Sequence, residues 1–191
     1  MNYNSFRGDE SYSPLPGILK MMRKGDVYTH CFNNHVHGIL DSDGKILPEA
    51  HDARDRGILF DPAQGQGHLS FDVAEKCLQQ NFLPDTISTD LTTITAERRV
   101  LDLPNMVSKF MAIGLTLDQA VKTVTATPAA IFNYNAEIGT LKPGSDADIS
   151  IFELRQGNFE FEDSVGGTRT GHQKLFSTAV VRAGQWIPNA A

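Results

Sequence analysis

The spacing of apolar and polar positions changes along this chain, and each change marks an element. Ile18, Leu19, Met21 and Met22 follow Ser13-Pro14 at helical spacing, with Ser as a cap, Pro in the first turn and Gly25 as the stop. Val27 to Phe32 is a short β-rich run. In Ile39 to Leu47 the dipeptide Asp43-Gly44 lies between apolar pairs, a hairpin signal. Pro48 to Arg56 reads as a polar helix ending at Gly57. Ile58-Leu59-Phe60 is short and wholly apolar, the kind of strand buried on both faces of a parallel sheet. A glycine-rich loop then leads to Ser70, which is placed to cap a helix carrying Phe71, Val73, Ala74, Cys77 and Leu78 on one side. Thr86 to Thr89 is the next predicted strand. Strands alternating with helices in this way predict parallel βα units.

After Asp90 the pattern turns helical. Leu103-Pro104 opens a helix to Ile113, Thr116 caps a second, and Thr127-Pro128 begins a short third to about Asn133. From Ile138 to Phe152 and again from Thr178 to Ile187 the spacing is that of strands, with a polar, glycine-rich stretch over 155–173 that predicts a long loop or an irregular hairpin. The expected fold is α/β. It has a partial (β/α) TIM-type barrel over 13–135, a separate small β element at the C-terminal end over 136–191 and a poorly anchored segment over 1–12. A closed eight-stranded barrel takes roughly 200 to 250 residues. Three strand–helix units fall short of that and leave open sheet edges. The sequence therefore predicts a fragment of a longer protein, a chain that needs a partner, or strands that close in another way.

Composition narrows the partners. Hydrophobic residues make up 40% and charged residues 21%, as in an ordinary globular protein. A net charge of -6 argues against a nucleic-acid backbone. No apolar stretch reaches about 18 residues, so no membrane span is expected, and Met1 to Arg7 lacks an apolar signal region. Cys31 and Cys77 are far apart without metal spacing, and read as buried hydrophobes in a reducing compartment. The expected location is the cytoplasm.

The candidate chemistry sits at strand ends. His30 closes the first predicted strand and Asp90 the third. A histidine and a carboxylate at the carboxyl ends of parallel strands are where a (β/α) barrel places metal ligands and bases. The same residues also suit a hydrogen-bonded core histidine and a turn-capping aspartate. Gln64-Gly65-Gln66-Gly67 lacks the spacing of a nucleotide fingerprint. Its glycines let a substrate approach the backbone, and His68 at a helix start suits an anionic substrate. Gln64, Gly65 and His68 are thus the substrate-side candidates. His35 and His37 share a face if extended and then suit a shared metal, but beside Asn33 and Asn34 they equally fit a solvated loop. His51 and His172 read as surface residues.

Thr127-Pro128-Ala129-Ala130, followed by Ile138-Gly139-Thr140-Leu141-Lys142-Pro143-Gly144-Ser145-Asp146-Ala147-Asp148-Ile149-Ser150-Ile151-Phe152, resembles the C-terminal part of the amidohydrolase superfamily, at the junction of the last barrel helix with a small β-sandwich. Residues 25–32, 56–61 and 82–91 are similar to the dihydroorotase-like deacetylase group within it. The resemblance implies a metal-dependent hydrolase of amides or esters. It matches His30 to a metal-binding histidine of the sixth strand. It matches Asp90 to an aspartate of the eighth that binds metal and takes a proton from the attacking water. It implies a divalent metal, zinc by preference, and an acylated small molecule as substrate. The family's His-x-His pair, carboxylated lysine and fifth-strand histidine have no counterpart here, and Gln64 stands where the family often has histidine. Two functional readings follow. One is a hydrolase incomplete as this chain. The other is a catalytically inactive, truncated or degenerate member that acts by association, as a homo-oligomer or with a complementing subunit.

Overall fold

The computed structural model describes residues 14–188, and the expectations for 1–12 and for Ser13 as a cap lie outside them. Helix α1 (Leu15–Met21) leads to strand β1 (Val27–Thr29), and helix α2 (Pro48–Asp55) to strand β2 (Leu59–Asp61). The two strands pair in parallel, Val27 with Leu59 and Thr29 with Asp61. The predicted hairpin before α2 is reduced to one antiparallel bridge, Leu40 with Ile46, because the Asp41 carboxylate draws the chain into a turn by accepting from the N–H groups of Asp43 and Lys45. Helix α3 (Phe71–Gln79) buries Phe71, Ala74 and Cys77. Phe60, Phe82, Leu19, Ala53 and Ile58 join these in one apolar core. Arg54 lies 3.7 Å from the Phe82 ring centre and donates to the Leu83 carbonyl at 2.6 Å, tying α2 to the chain beyond α3.

The third expected strand, 86–89, is not a regular strand. Side chains replace its backbone ladder. The Phe60 N–H is taken by the Asp85 carboxylate, and the Phe60 carbonyl accepts from Asp85 and Thr86. The Asp61 carboxylate, 5% exposed, then gathers three hydroxyls. Thr29 donates at 3.0 Å and Ser88 at 2.6 Å to Oδ2, and Thr86 at 2.9 Å to Oδ1. One carboxylate on the middle strand thus fixes the ends of all three segments. A buried carboxylate needs such partners to offset its lost hydration.

Helices α4 (Leu103–Ala112), α5 (Leu117–Val124) and α6 (Ala126–Ile131) follow. Thr116 and Gln119 form a reciprocal capping box on α5. The strand expected from Ile138 begins later, because the chain first closes turns in which Ser145 donates to Lys142 and Asp146 to Glu137. Strands β3 (Ile149–Glu162), β4 (Thr168–Arg182) and β5 (Gln185–Pro188) then form an antiparallel sheet in the order β3-β4-β5. The stretch 155–173 is the far half of the β3–β4 hairpin, irregular where the register shifts between Gln156 and Phe159. The hairpin lies on α4, where the Leu175 N–H donates to Ser108 Oγ and Gly171 admits the Phe161 ring and Ala112. Among the described residues the sheets are small and no barrel closes.

The hairpin tip reaches back to the glycine-rich loop. Asp163 accepts from the Phe71 N–H at 2.9 Å, the capping role that the Ser70 side chain leaves unfilled, and Ser164 donates to the Leu69 and Gln64 carbonyls. Beneath them Lys109, 1% exposed, donates to Gln64 Oε1 at 2.6 Å, to the Glu162 carbonyl at 2.7 Å and to the Arg99 carbonyl. Burial pushes the Lys109 ammonium down to about 7, against the pull of Asp163 and Glu162.

Two outcomes follow. Asp61→Ala removes the acceptor of three hydroxyls and should lower stability by about 2–4 kcal/mol in urea unfolding; a change below about 0.5 kcal/mol would contradict the role given to Asp61. For Lys109, the folded chain releases its proton near pH 7. The unfolded chain holds it to about 10.4. Between these the unfolded state binds more protons, so stability rises with pH. Lys109→Met should flatten the wild-type rise in melting temperature from pH 7 to 10, and an unchanged slope would refute the assignment.

Candidate metal centre at the strand ends

Three side chains converge where β1, the glycine-rich loop and the 86–90 segment end. His30 follows β1 with φ of 61°, and Asp90 ends the third segment with φ of 46°. Both are left-handed conformations uncommon outside glycine. They turn the chain sharply at the two candidate residues, and Ala63 in the loop between shares the conformation with φ of 34°. Past His30 the Cys31 N–H still donates to the Asp61 carbonyl, so the turn is anchored on both sides.

The His30 ring is oriented by the glycine-rich loop that follows β2. Nδ1 lies 2.8 Å from the Ala63 carbonyl, which only accepts, so Nδ1 carries the proton. In the neutral ring Nε2 then offers its lone pair, and it sits 3.9 Å from Asp90 Oδ2. His68 Nδ1 is 3.8 Å from the same carboxylate oxygen, and the His30 and His68 rings stack with centres 3.9 Å apart. One donor atom from each of His30, His68 and Asp90 lies within 4.8 Å of the others. Burial lowers the His68 pKa, and the neighbouring His30 and His35 act in the same direction against Asp90. Burial thus favours the uncharged imidazole, the form that binds metals.

Gly65 makes this approach possible. A Cβ there would lie 2.2 Å from Asp90 Oδ2 and 3.2 Å from His68 Nδ1, and its φ of 49° already disfavours a side chain. Its N–H donates to the Thr89 carbonyl, which holds the loop against the Asp90 segment. The donor set suits a transition metal such as zinc: two imidazoles and a carboxylate, with room for a fourth ligand. Metal bonds of about 2.1 Å in a tetrahedral site put ligand atoms about 3.4 Å apart, so these donors need to close by a few tenths of an ångström to about 1.4 Å.

The other candidates stand apart. Gln64 is fully buried, and its amide is spent on Lys109 and on the Glu162 carbonyl, so its side chain does not join the cluster. His35 and His37 are exposed in a loop held by Asn33, with the His35 ring 6.3 Å from that of His68. They border a cleft of about 540 Å³ whose lining includes none of the three clustered residues. His51 and His172 are exposed. Two residues that shape the site escape a reading of the sequence, Asp61 and Lys109. The available signals are a carboxylate directly after an apolar strand and a single cation inside the apolar helix Asn105-Met106-Val107-Ser108-Lys109-Phe110.

The chain is similar to several known proteins. A deacetylase of Enterococcus faecalis is 35% identical over 177 residues, covering 92% of this chain and 48% of that protein. Among solved structures, an adenine deaminase superposes with a TM-score of 0.88 at 35% identity, over 92% of this chain and 48% of its own. A dihydroorotase superposes with a TM-score of 0.81 at 27% identity, over 92% and 45%. The chain thus spans about half the length of the relatives it matches. Residues 68–181, more than half of the chain, match the sequence model of the amidohydrolase family, and the chain belongs to that family.

Proposed function

We propose that this chain carries the His30–Asp90 side of a metal-dependent hydrolase that cleaves an amide or ester bond, deacetylase- or dihydroorotase-like in its chemistry. On this reading β1, β2 and the 86–90 segment are late strand–helix units of a (β/α) barrel. The observation that carries it is His30 Nε2 standing 3.9 Å from Asp90 Oδ2, one just past β1 and the other at the end of the 86–90 segment. His30 and Asp90 would hold a divalent cation, zinc by preference, which when bound would supply Lewis acidity.

The rest is the work of the chain. Asp90, with 44% of its side chain exposed, opens onto solvent where a water and an acylated small molecule can meet. Its carboxylate takes a proton from the attacking water and passes it to the departing nitrogen or oxygen. The acyl carbon gains a C–O bond and loses its bond to the leaving group, giving a carboxylic acid and an amine or alcohol. His30 stays oriented by the Ala63 carbonyl. Gly65 keeps the loop low at the mouth, and Gln64, committed to Lys109, serves from behind. No helix among the described residues is long and apolar enough to cross a membrane. Cys31 and Cys77, both buried and free, suit a cytoplasmic setting.

A second reading is association. β1 is paired on one side only, and Val27 is 42% exposed on it. A further subunit, identical or complementing, would cover that face. Sedimentation of the pure chain should then give a mass above one chain, and a lasting monomer at micromolar concentration would remove this reading. For the hydrolase, zinc-loaded chain should turn over N-acetylated amino acids or simple esters, and Asp90→Asn should slow this by at least about 100-fold. No turnover by the zinc-loaded wild type would remove catalysis from this chain alone, and wild-type rates from Asp90→Asn would contradict the role given to Asp90.

A further inference from the structure

We propose that His68 is the third protein ligand of a zinc-type cation site that this chain builds from His30, His68 and Asp90. The inference deepens the hydrolase reading and rests on the same mouth. The sequence suggests His68 as a contact for an anionic substrate, and the geometry is unfavourable to that role. The groups beside its imidazole are the Asp90 carboxylate at 3.8 Å and the His30 ring at 3.9 Å. An anion brought there would face Asp90, whereas a cation would find three donors within 4.8 Å of one another. The adjacent start of α3, the usual docking place for an anion, already holds the Asp163 carboxylate on the Phe71 N–H.

The loop is built to hold His68 in place. The His68 N–H donates to the Gln64 carbonyl at 3.1 Å, closing a single turn that carries the imidazole over Gly65. Ser164 fastens both sides of that turn, donating to Gln64 and to Leu69. Gln64, the other polar side chain at the loop's start, is turned inward to Lys109. The loop therefore presents one imidazole to the mouth, from position 68, and a neutral amide fixed on a buried ammonium does not compete with it.

The test is metal binding by the full-length chain after chelator treatment, read without reference to turnover. Zinc should bind at one ion per chain in a competitive titration. Cobalt(II) should give visible bands of tetrahedral intensity. His68→Ala should weaken zinc binding by at least about 100-fold while His35→Ala leaves it within threefold. His68→Cys keeps a ligand at the position, and its cobalt form should gain a sulfur-to-metal charge-transfer band absent from the wild type. That signature holds even if His68→Ala fails to fold. Zinc affinity unchanged in His68→Ala, or no charge-transfer band from a folded His68→Cys chain that binds cobalt, would overturn the assignment. Binding that depends on His68 without any hydrolysis would sustain the ligand and remove the activity. Hydrolysis with His68-independent binding would do the reverse.

Discussion

Everything at the mouth depends on the buried carboxylate of Asp61. It stands at the end of the middle strand and accepts from Thr29, Thr86 and Ser88, one residue on β1 and two on the segment beyond β2. Thr29 precedes His30 by one position, and Ser88 precedes Asp90 by two. Holding those hydroxyls on one carboxylate holds the imidazole and the carboxylate above it in register. The third segment needs no full backbone ladder as a result, because the side-chain bonds and the Asp85 and Thr86 N–H groups donating to the Phe60 carbonyl replace it.

The second anchor comes from far along the chain. The β3–β4 hairpin lies on α4 and sends Glu162, Asp163 and Ser164 against the glycine-rich loop. Lys109 sits between them with three carbonyl acceptors, which matches the three N–H groups of an ammonium. A buried lysine in that setting is a structural bolt, since removing it strands three acceptors in the interior. The C-terminal sheet therefore shapes the loop that carries Gly65 and His68, instead of only extending the molecule.

Much of the helical frame is legible in the sequence because its signals are local. Gly57 and Gly114 stop helices, and Thr116 with Gln119 caps one. The apolar run at 58–60 is buried as its composition suggests, with Ile58 and Phe60 nearly free of solvent. What the sequence hides is set by contacts between distant residues. The 86–89 run has strand composition, yet its pairing is decided by Asp61 and Asp85. The polar stretch at 155–173 leaves a long loop and an irregular hairpin open in sequence, and the hairpin forms because α4 supplies a surface for it through Ser108 and Ala112. At the mouth, the sequence names His30 and Asp90 as metal candidates and gives His68 another task. The closed turn from Gln64 to His68 that brings the second imidazole beside Gly65 depends on the hairpin residue Ser164, far along the chain.

The chain belongs to the amidohydrolase family, and His30, His68 and Asp90 bring one donor atom each to within 4.8 Å of the others. The central claim is that His30, His68 and Asp90 share one cation. Anomalous diffraction from crystals grown with zinc tests it most directly. The account predicts a single strong peak about 2.0–2.2 Å from His30 Nε2, from a His68 ring nitrogen and from an Asp90 carboxylate oxygen. A peak on His35 and His37 instead, or none at these three residues at millimolar zinc, would contradict it.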